Sequence, residues 1–236
     1  MTDFLYLRDS YLRAFQAVVT EHDTGQNGVR LDRSAFYPGG GGQEPDRGWL
    51  RAQGAEWHVK TARRGGLHII AEGELPPIGA TVQAELDWAR RYPIMRTHTA
   101  MHILCGVIWR DYQASVTGGN MQVLSGRMDF EFERLSPETV SDIEAKINQE
   151  VANARPVKID ILPRAEAFQI PDLIRTKINL LPPGIKEVRT VEIVGLDLQA
   201  DGGTHVANTS EVGRITISKY KSKGGINKRL YVELSD

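Results

Sequence analysis

The stretch WARRYPIMRTHTAMHILCGVIWRDY, residues 88–112, is where the pattern of the chain changes and where its fold class is decided. Residues 97–112 carry apolar side chains at helical spacing, whereas strand-like alternation ends upstream of the stretch. Pro93 lies between the two patterns and disfavours a helix that runs through it. We therefore predict a first domain over residues 1–90, a second over residues 91–236, and a helix that begins after the proline.

Upstream of this stretch, short segments alternate apolar and polar residues and are separated by glycine-rich turns. The alternation is clearest at Phe15, Ala17 and Val19. Short strands at this spacing are typical of a small β-barrel or sandwich, and we predict the barrel. The candidate strands are AFQAVVTEHD (14–23), GVRLDRSAFY (28–37), GWLRAQG (48–54), EWHVKTARR (56–64), GLHIIAEGEL (66–75) and PPIGATVQAELD (76–87).

Downstream of the stretch, helical and strand patterns are mixed. Residues 136–156 predict a helix, with Ser136 as its N-cap, Pro137 in its first turn and apolar residues at helical spacing (Val140, Ile143, Ile147 and Val151). Residues 164–175 predict a short helix. Together these patterns predict an α+β layer domain with helices on a mostly antiparallel sheet. Its candidate strands are residues 126–133, 157–163, 187–194, 215–221 and 229–235.

The composition excludes several classes of protein. Hydrophobic residues make up 41% of the chain and charged residues 25%, which is ordinary for a soluble globular protein. Cys105 is the single cysteine, so an internal disulfide is excluded. No apolar run approaches the roughly 18 residues of a membrane span. We therefore expect a cytoplasmic protein.

The chain has two local basic patches, although its net charge is only −1. One consists of Arg90, Arg91 and Arg96, and the other is KYKSKGGINKR, residues 219–229. Because the net charge provides no general attraction to nucleic acid, any contact with phosphates must come from such patches. Taken alone, each is more simply a solvated face, the second with a hairpin turn at KGGIN.

His98 and His102 form an H-x-x-x-H pair in the predicted helix. Side chains four residues apart lie on one helical face, so the pair can chelate one metal ion, although two buried core histidines are an equal alternative. Thr99 stands where zinc proteases carry the glutamate of H-E-x-x-H, which disfavours a protease. Cys105 lies about 10 Å along the axis from His98 and is better explained as a small buried apolar residue.

A second polar pair lies in ADGGTHVANTSEVG, residues 200–213. Asp201 and His205 flank a Gly-Gly turn, and their side chains would complete a metal site begun by the helical pair. An ordinary hairpin turn is the alternative. Three further histidines lie in strands or turns without a companion at ligand spacing, and we expect them to be exposed or half-buried: His22, His58 and His68.

Four segments carry a joint resemblance to one family. HTAMH (98–102) and GGTHV (202–206) resemble the H-x-x-x-H and C-x-x-x-H pair of the alanyl-tRNA synthetase editing domain, which threonyl-tRNA synthetases share. DRSAFYPGGGGQEPDRG (32–48) resembles the segment T-x-F-Y-P-x-x-G-G-Q-x-x-D-x-G of alanyl-tRNA synthetases, and RMDFEF (127–132) extends the similarity. The segments occur in the family's order. The chain looks like a medium-length, two-domain AlaX protein, a trans-editing enzyme that hydrolyses mischarged alanine tRNA.

The resemblance implies an aminoacyl-tRNA deacylase whose substrate is the acceptor end of tRNA(Ala) carrying serine, with glycine as a further substrate. It implies zinc as the cofactor and His98, His102 and His205 as its ligands and as the catalytic residues. Where the synthetases have cysteine, this chain has Asp201, which would be a fourth ligand or would leave that place to water. A tRNA-binding module without catalysis, a generic zinc hydrolase and an editor of Ser-tRNA(Thr) are the alternatives.

The resemblance also implies a substrate-binding set. Ser34 stands where family members often carry threonine, a hydroxyl that the family uses to tell serine from alanine. Gly41 and Gly42 would lie close to the substrate, and Gln43 would position a water or the ester carbonyl. Thr204 is a further candidate. A phosphate-binding P-loop is disfavoured because no G-K-[ST] follows the glycine run.

Overall fold

The computed structural model describes residues 2–132, 134–175 and 184–236. The chain divides into two compact units, Met1–Tyr92 and Pro93–Asp236. The first contains a closed barrel and the second contains antiparallel sheets with helices, which confirms the predicted α+β class. No helix among these described residues combines the length and apolarity that a bilayer crossing requires.

Six strands of the first unit close into a barrel in the order β2-β3-β7-β6-β5-β8, and every neighbouring pair is antiparallel. In β8 the alternation is complete, because Val82, Ala84 and Leu86 are buried while the residues between them are exposed. A short parallel pair, β1 with β4, lies outside the barrel order. The strands of this unit are β1 (Asp3–Phe4), β2 (Ala14–Asp23), β3 (Gly28–Leu31), β4 (Arg33–Ser34), β5 (Gly48–Ala52), β6 (Ala55–Arg63), β7 (Leu67–Ile70) and β8 (Thr81–Leu86).

Gly48 begins β5 at a point where two strands approach closely. A Cβ atom placed there would overlap the backbone carbonyl oxygen of Glu85 in β8. We expect Gly48→Ala to lower the free energy of unfolding by about 1–3 kcal/mol, because the overlap forces two paired strands apart. Urea denaturation checks this, with Gly25→Ala as the control, since the nearest atom to a Cβ at Gly25 is 3.6 Å away. Equal midpoints for the two variants would contradict the expectation.

Helix α1 (Trp88–Tyr112) begins earlier than the sequence pattern predicts, and Pro93 lies inside it. The helix starts one residue after Asp87, whose side chain accepts a hydrogen bond from the Arg90 N–H (3.2 Å). The proline removes one backbone hydrogen bond, but the residues that follow, from Ile94 to Ile108, are all buried. Burial of this length outweighs the local cost and keeps the segment helical, so the prediction of a start after Pro93 is wrong.

The described residues of the second unit form two antiparallel sheets. The four-stranded sheet has the order β14-β15-β10-β9 and the three-stranded sheet the order β11-β12-β13. Of the expected strand 126–133, the last residue lies outside the described residues. In the part of the chain that the structure describes, the strands of this unit are β9 (Val116–Gln122), β10 (Ser125–Glu131), β11 (Val157–Pro163), β12 (Glu187–Ile193), β13 (Asp197–Ala200), β14 (Arg214–Ser222) and β15 (Asn227–Ser235), and the α-helices besides α1 are α2 (Pro137–Ala152) and α3 (Arg164–Ala167).

Helix α2 has the start that its sequence predicts. The Ser136 hydroxyl accepts a hydrogen bond from the Thr139 N–H (3.2 Å), and Pro137 occupies the first turn. Val140, Ile143 and Ile147 are buried and Val151 is half-buried, so three of the four residues of the predicted apolar face are confirmed as buried. The helix ends at Ala152, four residues before the end of the segment that predicted it.

Candidate metal centre

Four side chains of the second unit converge on one point. His98 and His102 come from α1, and Asp201 and His205 come from the loop that follows β13. One ligand atom from each residue lies within 4.8 Å of all the others. The ring centroids of His98 and His205 are 4.1 Å apart, and those of His102 and His205 are 4.7 Å apart. The structure therefore brings together the four residues that the sequence predicts as metal ligands.

The loop is held against α1 by hydrogen bonds made with its own backbone. The Asp201 carboxylate accepts a hydrogen bond from the Gly203 N–H (2.7 Å), which closes a tight turn. The Val206 N–H donates to the Thr99 hydroxyl on α1 (3.2 Å), within one turn of both helical histidines. Thr99, whose position in the motif disfavours a protease, therefore links the loop that carries the second pair of candidate ligands to the helix that carries the first.

Each histidine of the cluster has a hydrogen-bonding partner outside the four candidate ligands. The Thr99 hydroxyl lies 3.1 Å from His205 Nδ1, and the backbone of Thr204 is hydrogen-bonded to His98. Asp197 Oδ2 lies 3.2 Å from His102 Nδ1. Partners of this kind fix ring orientation in metal sites. The sequence motifs do not include Asp197, and no local pattern signals it, because it meets His102 across 95 residues of sequence.

The pKa shifts of three of the four residues favour the protonation states that bind a cation. Burial lowers the pKa of His98 to about 4 and, together with the neighbouring His98, lowers the pKa of His205 well below its ordinary value. Burial acts to raise the pKa of Asp201, but attraction to His98 and the His205 hydrogen bond outweigh it, so this pKa lies well below its ordinary value. Burial also acts to lower the pKa of His102, but the hydrogen bond with Asp197 and the attraction to that carboxylate outweigh it and raise this pKa, so a metal ion that binds this ring competes with a proton. Imidazole lone pairs and an ionised carboxylate are the donors that a divalent metal ion requires, so the group can bind a metal ion.

Comparison with known proteins identifies the family. Residues 188–231 match the family described as threonyl and alanyl tRNA synthetase second additional domain. The chain is 39% identical to the alanyl-tRNA editing protein AlaX-M of Saccharolobus solfataricus, over 98% of both chains. It is 37% identical to the AlaX-M of Methanosarcina barkeri, over the whole of both chains.

The chain belongs to the AlaX-M family.

The alanine–tRNA ligase of Pyrobaculum neutrophilum shares 39% identity over 225 residues, which are 91% of this chain and 25% of the ligase. The resemblance noted in the sequence is therefore confirmed. AlaX-M relatives match the chain from end to end, whereas the ligase contains the matching region as one part of a longer protein.

The segment that resembles the AlaX glycine motif lies in the first unit. Gly40 and Gln43 exchange backbone hydrogen bonds (3.0 and 2.8 Å), which makes the glycine run a tight turn. Gly41 and Gly42 have φ angles of 56° and 87°, in the left-handed region that glycine adopts without strain. Gln43 is 3% exposed. The roles of these residues in binding substrate stay predictions.

Ser34 of the same segment is buried against a histidine. Its hydroxyl oxygen lies 2.8 Å from His68 Nε2 and accepts a hydrogen bond from the Phe36 N–H (3.1 Å). His68 is only 1% exposed, so the expectation that it is exposed or half-buried is wrong. No local pattern signals this contact, because Ser34 and His68 are 34 residues apart in sequence and meet only in the folded barrel.

The arginine patch predicted upstream of the histidines does not exist as a free surface. The Arg91 side chain is fully buried and pairs with Asp46, and Arg90 is ion-paired with Glu44. In the second unit, Arg96 donates to the Val212 carbonyl (3.1 Å) and to the Asp236 carboxylate (2.8 Å). The interpretation of these arginines as a solvated face is therefore wrong, because each one is engaged within the protein.

The C-terminal patch is a hairpin between β14 and β15, as KGGIN predicted. Lys223 and Asn227 close its turn through a backbone hydrogen bond (2.8 Å). Arg229 is paired with Asp129 through two hydrogen bonds (2.6 and 2.7 Å), and Lys228 is buried. The exposed lysines of the hairpin are Lys219, Lys221 and Lys223.

Proposed function

We propose that this protein is a zinc-dependent trans-editing hydrolase that deacylates mischarged tRNA(Ala). Its chief substrate is Ser-tRNA(Ala), with Gly-tRNA(Ala) as a second. The observation that carries the proposal is the convergence of His98, His102, Asp201 and His205 in a chain that matches AlaX-M proteins over its full length. Because tRNA is charged and used in the cytoplasm, we expect the protein there.

Zinc is the metal best suited to this donor set. Three imidazole nitrogens and one carboxylate oxygen are all established zinc donors, and three histidines with an exchangeable fourth position are typical of catalytic zinc sites. When bound, the ion would act as a Lewis acid toward the ester or its attacking water. Asp201 would be the exchangeable donor, since its side chain is 15% exposed whereas that of His205 is fully buried.

The neighbouring threonines would serve the histidines more than the substrate. The Thr99 hydroxyl lies against His205 and accepts a hydrogen bond from the Val206 N–H, so it is already engaged within the protein. Thr204 is fully buried, and its backbone is hydrogen-bonded to His98. These contacts support a role in orienting the rings, while the proposed contact of the Thr204 side chain with substrate stays a prediction.

Ser34 would present an oxygen that can only accept. Burial lowers the pKa of His68 to about 4, so its ring is neutral. Its Nδ1 lies 3.3 Å from the Val29 carbonyl oxygen, which can only accept, so Nδ1 carries the proton. Nε2 must then accept a hydrogen bond from the Ser34 hydroxyl. An additional partner of Ser34 must therefore be a donor, as the hydroxyl of an esterified serine is.

Ser34→Ala tests this role. We expect kcat/KM for Ser-tRNA(Ala) to fall roughly tenfold, since about one hydrogen bond to the substrate is removed, while kcat/KM for Gly-tRNA(Ala) changes little. Ser34→Thr keeps the hydroxyl and serves as the matched control, with values close to wild type. Equal decreases for the two substrates in Ser34→Ala would mean that Ser34 supports the barrel and does not select the amino acid.

The exposed hairpin lysines are the remaining candidates for contacts with tRNA phosphates. Replacing Lys219, Lys221 and Lys223 with alanine should weaken binding of uncharged tRNA(Ala). It should also reduce the slope of log affinity against log salt by about 0.9 for each phosphate that is no longer neutralised, because fewer counterions are released. The control carries the same change of charge at exposed lysines elsewhere: Lys60, Lys158 and Lys186. Identical slopes for the two triple variants would remove the hairpin from the tRNA surface.

A deacylation panel tests the proposed function as a whole. Purified protein is incubated with Ser-, Gly- and Ala-tRNA(Ala) and with Ser-tRNA(Thr), with and without chelator. We expect rapid loss of serine, slower loss of glycine, retention of alanine, and inhibition by chelator that added zinc reverses. Binding without hydrolysis would identify a tRNA-binding module, and preference for Ser-tRNA(Thr) would identify a threonine-type editor.

A further inference from the structure

Asp197 is a buried carboxylate directly behind one of the candidate ligands. It begins β13, its side chain is fully buried, and its Oδ2 lies 3.2 Å from Nδ1 of His102. A carboxylate oxygen at this distance can accept a hydrogen bond from Nδ1–H of the imidazole. In the neutral ring that donates from Nδ1, the opposite nitrogen, Nε2, carries no proton and is free to donate its lone pair.

The carboxylate of Asp197 is held in place from two sides. Gln199 Nε2 donates to its Oδ2 (2.6 Å), and the Arg175 guanidinium lies 3.5 Å from its Oδ1. Arg175 is itself packed over the Trp109 ring of α1, 4.7 Å from the ring centroid. A buried charge with a hydrogen-bonded amide and a fixed cation beside it has a defined orientation.

Gly106 permits this approach to α1. A Cβ atom at that position would lie 2.9 Å from Leu196 Cγ and 3.0 Å from Asp197 Cβ. The glycine therefore lets the start of β13 pack directly on the helix that carries His102. Gly106 lies one helical turn after His102, so the absence of a side chain there lets Asp197 approach the part of the helix that carries His102.

We propose that Asp197 is a positioning residue of the metal centre, which holds His102 with Nδ1–H toward itself and Nε2 toward the cluster. The inference rests on the proposed metal site and adds to it a residue outside the ligand set. His205 and His98 have the Thr99 hydroxyl and the Thr204 backbone as partners, so among these partners outside the ligand set the carboxylate is the one on His102.

Metal affinity separates this role from a purely structural one. We expect Asp197→Ala to bind zinc about 10- to 100-fold more weakly in competition with a chromophoric chelator, and Asp197→Asn to bind it more weakly by a smaller factor. In the cobalt-loaded protein, both variants should shift the visible absorption bands, which report the geometry of the ligands. Asp160→Asn, which changes an exposed carboxylate on β11, is the control and should match wild type.

A measurement on the unaltered protein covers the case in which the variants fail to fold. The ¹⁵N shifts of His102 in the zinc-loaded wild type should show a protonated Nδ1 and a metal-bound Nε2. Zinc bound through Nδ1, or wild-type zinc affinity and cobalt spectra in Asp197→Ala, would overturn the proposal while leaving the metal centre intact. A wild-type protein that binds no zinc would overturn the metal centre and this proposal with it.

Discussion

Replacing His98 and His102 together with alanine should lower the deacylation rate of Ser-tRNA(Ala) by about a thousandfold or more. The two residues supply half of the four-residue cluster from one rigid helix, and His205 and Asp201 cannot hold a divalent ion with two donors alone. Loss of a catalytic metal removes several kcal/mol of stabilisation from the transition state, and about 4 kcal/mol corresponds to a thousandfold. Single-turnover kinetics with preformed Ser-tRNA(Ala) measure the effect.

The metal content of the variant gives the second half of this test. We expect about one zinc per wild-type chain by elemental analysis and almost none in the double variant, with similar far-ultraviolet circular dichroism. His58→Ala is the matched control, because His58 is an exposed histidine of the barrel that lies outside the cluster. Full activity in the double variant would exclude the metal mechanism but would leave the editing function standing.

The architecture of both units is predictable from local pattern. Alternation in β8 and the capped start of α2 are short-range features, and each corresponds to a face that the fold buries. The start of α1 is predicted wrongly because the free-energy cost of Pro93 in a helix is visible in the local sequence. The burial of the residues that follow it, which offsets this cost, depends on the rest of the folded unit. β9 is not predicted, since Gly118 and Gly119 in its middle weaken a strand pattern that only pairing with β10 restores.

The four residues of the candidate metal centre can be predicted from sequence, but the residues that support them cannot. His98 and His102 are paired by helical spacing, and Asp201 and His205 by a short loop, so each half is a local motif. Asp197 reaches His102 across 95 residues of sequence, and His68 reaches Ser34 across 34. The arginine patch fails for the same reason, because the sequence shows that Arg91 is charged but does not show that Asp46 will be buried beside it.

The second large effect is expected at Asp201, the residue that departs from the cysteine of the synthetases. Its Oδ2 is engaged by the Gly203 N–H and by His205, while its Oδ1 faces His98 Nε2 at 3.6 Å. One oxygen is thus fixed by the loop, and the other is available to a metal ion. If Asp201 is a ligand, Asp201→Asn should weaken zinc binding by more than the roughly 100-fold that removal of an outer partner costs.

Asp201→Cys should have the opposite effect on the same measurement. A thiolate is softer than a carboxylate and favours zinc over hard ions, so we expect zinc affinity to rise roughly tenfold or more while affinity for Mn²⁺ falls. Competition titrations with both metals measure the ratio, and Asp160→Asn again controls for loss of an exposed charge. If zinc affinity is unchanged in both Asp201 variants, a water occupies the fourth position and Asp201 only orients His205. A higher ratio of zinc to manganese affinity in Asp201→Cys would instead show that residue 201 is a ligand and that aspartate there is less selective for zinc than cysteine.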